Sequence, residues 1–145
     1  MQLQEFFIAK EFFGESIVDA PIPVVGKVGA GGHIHGVDSG VIDEVENFGG
    51  YYPNGTKGVE VEGVSMGEDI PDGSIIFYQD EYEVPQVFHI NQRCVVWTHD
   101  GRSMVKKLLR GSRPDRWSLY SYGTGTTEED VVLDRVAKVT GVKYR

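Results

Sequence analysis

The sequence predicts a mainly β domain built of hairpins and small twisted sheets. Glycine accounts for 19 of the 145 residues, about twice its average share in proteins, as expected where strands are joined by tight turns. Short runs rich in valine alternate with polar residues, which is the pattern of half-buried strands. The pairs Asp72-Gly73 and Asp100-Gly101 are typical of hairpin turns.

The N-terminal part of the chain favours an arm followed by a first strand. Residues 1–22 mix aromatic and polar side chains without a clear period, so they are expected to form an arm or linker. The prolines in Ala20–Pro23 favour extended backbone. The apolar run Pro23–Val28 predicts a strand, and Gly29–Gly32 predicts a flexible loop. We expect a long loop over residues 36–57, packed by its own aromatic side chains.

The remainder of the chain is expected to be mostly strands. The predicted strands are residues 59–64, 74–79, 93–99, 103–109, 116–120 and 131–144. After residue 20, one helical turn at Ser65–Ile70 is the only helix expected. The last strand is long enough to form the edge of a dimer. Residues 23–145 are therefore expected to form one domain with a substantial core.

Charge and composition exclude several functions. A net charge of −8 argues against direct nucleic-acid binding, which needs clustered lysine and arginine. The single cysteine, Cys94, lies in an apolar run and fits a core position in a reducing compartment, so we expect a cytoplasmic protein. No apolar run reaches membrane-spanning length, so no membrane partner is expected. His33 and His35 have a spacing that suits a metal, but no further ligand lies nearby, so we expect no metal and no cofactor.

Ser65 is the candidate nucleophile. It follows a predicted strand and precedes the predicted helical turn, where a hydroxyl is exposed beside free backbone amides. The amides of Val64 and Ser65 are candidates for an oxyanion hole. A serine that simply caps a short helix is the alternative, and it does not exclude a catalytic role.

Lys106 is the candidate base. Strand alternation places Lys106 on the same face as the apolar residues Met104 and Leu108, whereas Lys107 faces the other way. Burial disfavours the charged ammonium, and a neutral lysine amine is able to take the proton of a serine hydroxyl. The alternative is a lysine whose amine reaches solvent along its own aliphatic stem.

The chain resembles the self-cleaving C-terminal peptidase domain of LexA-type and phage CI-type repressors, the S24 peptidases. Five blocks in the family order carry this resemblance: Pro23 to Gly31, Val61 to Met66, Ile70 to Ser74, Val95-Val96 before Asp100-Gly101, and Val105 to Leu108. The resemblance implies a LexA-like fold and a Ser65–Lys106 dyad that cuts the Ala30–Gly31 bond of its own chain. It also implies cleavage on DNA-damage signalling, with a RecA filament on single-stranded DNA as co-inducer, and a homodimer.

The sequence departs from the family at three places and lacks one domain. Ser74, Gln92-Arg93 and Met104 replace common family residues, but none of them touches the dyad or the bond. No helix-turn-helix domain is expected in residues 1–22, so operator DNA would be reached only through an N-terminal domain missing from this chain. The alternatives are a UmuD-like polymerase accessory protein with a cleavable arm, a dimerisation module without activity, and a signal-peptidase-like enzyme that cuts other chains.

Overall fold

The computed structural model describes residues 20–36 and 40–145, which form ten strands and short 3₁₀ turns. The strands are β1 (Ile22–Val28), β2 (Ile34–His35), β3 (Asp43–Val45), β4 (Thr56–Val61), β5 (Ile75–Gln79), β6 (Arg93–Thr98), β7 (Ser103–Arg110), β8 (Trp117–Tyr120), β9 (Thr127–Val131) and β10 (Leu133–Lys143). The 3₁₀ turns are Ala30–Gly32, Phe48–Gly50 and Val87–His89. The predicted mainly β fold is confirmed. The predicted arm lies mostly in residues 1–19, outside the described residues.

The strands join edge to edge in the order β2-β1-β4-β5-β10-β6-β7-β8-β9, and β3 also pairs with β1. The β1–β4 pair is parallel, whereas the other pairs are antiparallel. Most neighbours in this order are consecutive strands of the chain, and the exceptions are β1–β4, β5–β10 and β10–β6. Because β1 runs parallel to β4, the chain just after β1 comes close to the chain just after β4.

The last strand is internal to the sheet, which corrects the expectation that it forms an edge. Residues 133–138 of β10 pair with β6, and residues 139–143 pair with β5 on the other side. On its other side, the first half is met by the segment before β6, since Val136 N donates to Glu83 O at 2.8 Å, whereas the second half has no strand partner there among the described residues. The sequence showed a long apolar strand, but pairing partners depend on contacts far apart along the chain, and the sequence pattern does not encode them.

Strand β7 contributes buried side chains from its two faces to two different clusters of core residues. Val105 packs with the first cluster, which contains residues of β1, β4, β5, β6 and β10. Met104 and Leu108 pack with the second, which includes Cys94 and Leu119. Each fully buried side chain of this size contributes about 1.5–3 kcal/mol of stabilisation. A charged side chain on the Met104 face is therefore desolvated, which is energetically unfavourable.

Three predicted elements differ from the structure. In place of a helical turn at Ser65–Ile70, the chain forms a turn over residues 63–66 and a bend over 68–70, because Gly67 takes a left-handed φ of +74°. The long loop contains β3, whose Asp-Glu-Val sequence lacks an apolar alternation. Phe48 and Tyr51 of this loop are largely exposed, although the Tyr51 ring contacts Tyr52 edge-on, and Tyr52 in turn lies against Phe77 of β5.

Candidate functional site

The turn that carries Ser65 is held by hydrogen bonds to its own backbone and to the following turn. Ser65 N donates to Glu62 O at 3.3 Å, and Gly67 N donates to Val64 O at 2.9 Å. Gly63 N donates to the Asp72 carboxylate at 2.6 Å. The Val64 side chain points to solvent, and its backbone N–H has no acceptor among the described residues. A free N–H next to a serine hydroxyl is a suitable donor to a developing oxyanion.

The Ser65 hydroxyl is buried against the strand that leads to the Ala30–Gly31 bond. Ser65 is 7% exposed, and its Oγ donates a hydrogen bond to Val28 O at 2.8 Å. The same carbonyl accepts a second bond from Glu62 N at 2.9 Å. The parallel pairing of β1 with β4 produces this contact, since Val28 and Val61 are register partners. The nucleophile candidate therefore touches the chain two residues before the bond predicted to be cut.

Lys106 lies in the middle of β7 on the face that strand alternation predicted. It is 5% exposed and pairs with Cys94 of β6, between Met104 and Leu108. Its Nζ donates a hydrogen bond to Ser121 Oγ. Burial lowers the pKa of Lys106 below its ordinary value of 10.5. This is the direction that makes a lysine a usable base near neutral pH.

Two charged neighbours act on Lys106 in opposite directions. Glu128 of β9 raises the Lys106 pKa, and Arg102 lowers it. Arg102 grips both carboxylate oxygens of Glu128, with N–O distances of 2.8 and 2.9 Å. This paired geometry holds the pKa of Glu128 below its usual range. Lys106 therefore lies near an ion pair, in which Arg102 offsets the negative charge of Glu128, and not near an isolated carboxylate.

The Ala30–Gly31 bond lies at the tip of the β1–β2 hairpin, against β7. Gly29 N donates to His33 O at 2.8 Å, and His33 forms a bridge with Met104 of β7. Gly32 is buried at the tip with φ +78°, and a Cβ there would stand 2.6 Å from Val105 O and 3.8 Å from Lys106 Cε. The tip thus covers the stem of Lys106, and only a residue without a side chain fits.

The two histidines of the hairpin are not brought together with metal ligands. His35 Nε2 lies 2.6 Å from a Glu62 carboxylate oxygen, which ties the returning strand to the segment before Ser65. His33 is exposed. In residues 20–36 and 40–145, no three His, Cys, Asp or Glu side chains are grouped as a metal would require. Also within these ranges, no helix is long and apolar enough to cross a membrane.

Sequence reasoning missed Ser121 and the loop that follows it. Ser121 directly follows β8 and is buried, and it is the hydrogen-bond acceptor of Lys106. Two residues later, a Cβ on Gly123 would stand 2.8 Å from Ser65 O. The loop therefore touches both candidate residues. Its sequence Tyr-Ser-Tyr-Gly carries no spacing signal, and its partners lie far away along the chain.

Ser65 and Lys106 make separate hydrogen bonds in this structure. Ser65 Oγ is bound to Val28 O, Lys106 Nζ is bound to Ser121 Oγ, and the described residues include no hydrogen bond between the two. The hairpin carrying Ala30 and the loop carrying Ser121 bring them into one region of the domain. Hydrogen bonds in a catalytic group commonly tighten only when substrate takes its reactive position.

The fold and the site together define a class of protein: a mainly β domain that buries a serine hydroxyl and a lysine amine beneath a glycine-rich hairpin. The family model described as Peptidase S24-like matches residues 23–142. The protein belongs to this family of serine peptidases, which has the self-cleaving fold shared by LexA, UmuD and CI. A comparison with curated proteins finds no match to the chain.

Proposed function

We propose that this domain cuts its own Ala30–Gly31 bond, with Ser65 as nucleophile and Lys106 as general base. One observation carries the proposal. The hairpin that holds the bond accepts a hydrogen bond from the Ser65 hydroxyl and also covers the buried, pKa-lowered Lys106. A serine that only caps a turn would not need the bond to Val28 O, and a lysine that reaches solvent would not lie under the hairpin tip.

The chemistry balances without any cofactor. Neutral Lys106 Nζ takes the Ser65 proton as Oγ attacks the Ala30 carbonyl carbon. The oxyanion is met by the free N–H of Val64 and by the N–H of Ser65, which exchanges its 3.3 Å bond to Glu62 O for the oxyanion. The Lys106 ammonium then returns the proton to the Gly31 nitrogen as the peptide bond breaks. Water, deprotonated by Lys106, hydrolyses the resulting Ser65–Ala30 ester and releases the Ala30 carboxylate.

The reaction is intramolecular. Ser65 is bound to Val28 O before attack, so the hairpin has to bring the Ala30 carbonyl to the hydroxyl for cleavage to begin. Tethering replaces substrate binding, because the bond and the nucleophile are held in one molecule at high effective concentration. Each molecule then reacts once. A slow rate is expected wherever this movement of the hairpin limits the reaction.

The biological role that we propose is that of a LexA-like or CI-like repressor domain in the cytoplasm. In a repressor that also carries an N-terminal DNA-binding domain, cleavage would remove the covalent link between that domain and the dimeric peptidase domain. Two linked DNA-binding domains bind a two-site operator far more tightly than separate ones, so the cut relieves repression. A RecA filament on single-stranded DNA is the proposed co-inducer. A UmuD-like accessory role is the alternative, and it would use the same cut.

The homodimer that we propose forms through residues 139–143 of β10. This half-strand pairs with β5 on one side only, and beside its other side lies a groove lined by Arg93, Tyr122 and Tyr144. A second copy of the strand is able to extend the sheet there by backbone hydrogen bonds.

Mass spectrometry under denaturing conditions tests the cleavage directly. We expect fragments of residues 1–30 and 31–145, formed faster at pH 10 than at pH 7 because the base has to lose its proton. Ser65→Ala and Lys106→Ala should each abolish the fragments. Lys107→Ala is the matched control, since Lys107 lies on the opposite face of β7. An intact chain after prolonged incubation at pH 10, with folding verified by circular dichroism, contradicts the proposal.

A further inference from the structure

The hydrogen bond between Lys106 and Ser121 has no part in the mechanism above. Both partners are buried, and Ser121 lies 15 residues beyond Lys106 in the sequence. A lysine side chain has four rotatable bonds, and holding its amine in one place requires a fixed partner. Among the described residues, Ser121 Oγ is the hydrogen-bond partner of Lys106 Nζ.

The backbone of Ser121 is itself held by hydrogen bonds within its loop. Ser121 N donates to Thr126 O at 2.8 Å, and Gly125 N donates to Ser121 O at 2.8 Å. The loop is packed against the nucleophile turn, since a Cβ on Gly123 would stand within 3 Å of the carbonyl oxygens of Val64 and Ser65. One short segment thus sets the position of the amine relative to the turn that carries the hydroxyl.

We propose that Ser121 is a positioning residue for the base: its Oγ accepts a hydrogen bond from Lys106 Nζ and leaves the amine lone pair free for the Ser65 proton. A neutral amine has two N–H donors and one lone pair. A bond donated to Ser121 therefore does not compete with proton transfer from Ser65. After transfer, the ammonium still has Ser121 as an acceptor, so the same contact serves both protonation states.

The proposal makes a prediction that a merely structural role does not make. A hydrogen bond accepted from the ammonium favours the charged form, so its loss should lower the Lys106 pKa further. The other charges acting on Lys106, Glu128 of β9 and Arg102 before β7, stay in place. Ser121→Ala should therefore move the midpoint of the rate–pH profile toward acid while lowering the plateau rate by about tenfold to a hundredfold.

The cleavage experiment compares Ser121→Ala with two other variants. Ser121→Thr keeps the hydroxyl and should restore at least part of the plateau. Ser118→Ala is the matched control, because Ser118 lies on β8 and is 7% exposed against 6% for Ser121. The proposal is overturned if Ser121→Ala leaves both midpoint and plateau unchanged, or lowers the plateau no more than Ser118→Ala. Cleavage that survives Ser65→Ala but not Ser121→Ala would make Ser121 the nucleophile and would also overturn it.

This inference rests on the proposed self-cleavage, so a second measurement reads Lys106 without any cleavage. The Lys106 side chain is titrated by carbon-detected NMR in Ser65→Ala and in Ser65→Ala/Ser121→Ala. We expect the titration midpoint to be lower in the double variant. An unchanged midpoint refutes the role of Ser121 even if the protein cleaves itself. A lowered midpoint in a protein that never cleaves refutes the proposed function and leaves the contact established.

Discussion

Gly32→Ala should lift the tip of the β1–β2 hairpin away from Lys106, the proposed base. Gly32 is buried at the hairpin tip with φ +78°, where a residue with a Cβ loses about 1–2 kcal/mol. The new Cβ would also stand 2.6 Å from the backbone oxygen of Val105, closer than such atoms approach. The strain is relieved only if the tip lifts away from β7. A loss of 1–2 kcal/mol lowers the equilibrium constant between docked and lifted tip by a factor of about 5–30, and the steric contact adds to this.

The lifted tip has a second consequence, because it exposes Lys106. Gly32 lies over the Lys106 stem, with its Cβ position 3.8 Å from Cε, and burial is the main cause of the lowered Lys106 pKa. Hydration of the amine should return the pKa toward 10.5. The cleavage rate of Gly32→Ala should therefore fall at high pH, by up to about 5–30-fold from the backbone strain, and it should fall by more at pH 7. Its rate–pH midpoint should move toward alkali.

The assay is fragment formation followed by denaturing mass spectrometry from pH 7 to pH 11. Gly36→Ala is the matched control: Gly36 has a similar φ of +84° in the same hairpin, but the nearest atom to its Cβ position is 4.0 Å away. Gly36→Ala therefore introduces similar backbone strain, but its Cβ does not meet the Val105 backbone oxygen of β7. Equal rates and equal midpoints for the two variants would refute the idea that docking of the tip controls the base.

Three further predictions concern charge and assembly. Lys106→Met should raise the melting temperature at pH 7 by a few degrees, since burial lowers the lysine pKa and so penalises its charged form. The gain should shrink as pH rises from the lowered pKa to 10.5, because above 10.5 the lysine amine is neutral in both the folded and the unfolded chain. Calorimetry across this pH range measures the gain. A gain that grows with pH contradicts the assignment. Arg102→Ala removes the charge that compensates Glu128, so the midpoint of the rate–pH profile of cleavage should move toward alkali. Glu128→Gln should move this midpoint toward acid. Shifts of the two variants in the same direction would refute this electrostatic account. Tyr144→Ala should weaken the proposed dimer in sedimentation velocity at tens of micromolar, whereas Phe88→Ala, an exposed aromatic residue that does not line this groove, should not. A monomeric wild-type protein under these conditions would contradict the dimer.

The sequence was most informative where a local pattern alone determines the outcome. Alternation along β7 was enough to place Lys106 with Met104 and Leu108, because a strand has a period of two. The Asp100-Gly101 pair located the β6–β7 hairpin for a similar reason, since a tight turn requires particular residues. The predicted strand at 74–79 also agrees closely with β5.

The sequence was less informative where the outcome depends on distant contacts. Ser121 is a single polar residue with no repeated spacing, and its partner lies on another strand. Strand β9 carries mostly exposed polar side chains, so it has no apolar alternation to identify it. The two partners of β10 are chosen by the packing of the whole sheet. These features follow from three-dimensional proximity, which a pattern along the chain does not record.

The strand that leads to the bond proposed to be cut is also part of the core, so the proposed cleavage would not by itself release the N-terminal piece. Ile22, Val24, Val25 and Val28 of β1 are buried, and the strand pairs with β2, β3 and β4. Breaking the Ala30–Gly31 bond removes none of these contacts, each buried side chain retaining about 1.5–3 kcal/mol of stabilisation. The immediate product of the proposed cleavage would be a nicked, two-chain complex in which β1 still completes the sheet. The lifetime of that complex, set by how fast β1 peels away, then acts as a delay between the chemical event and its consequence.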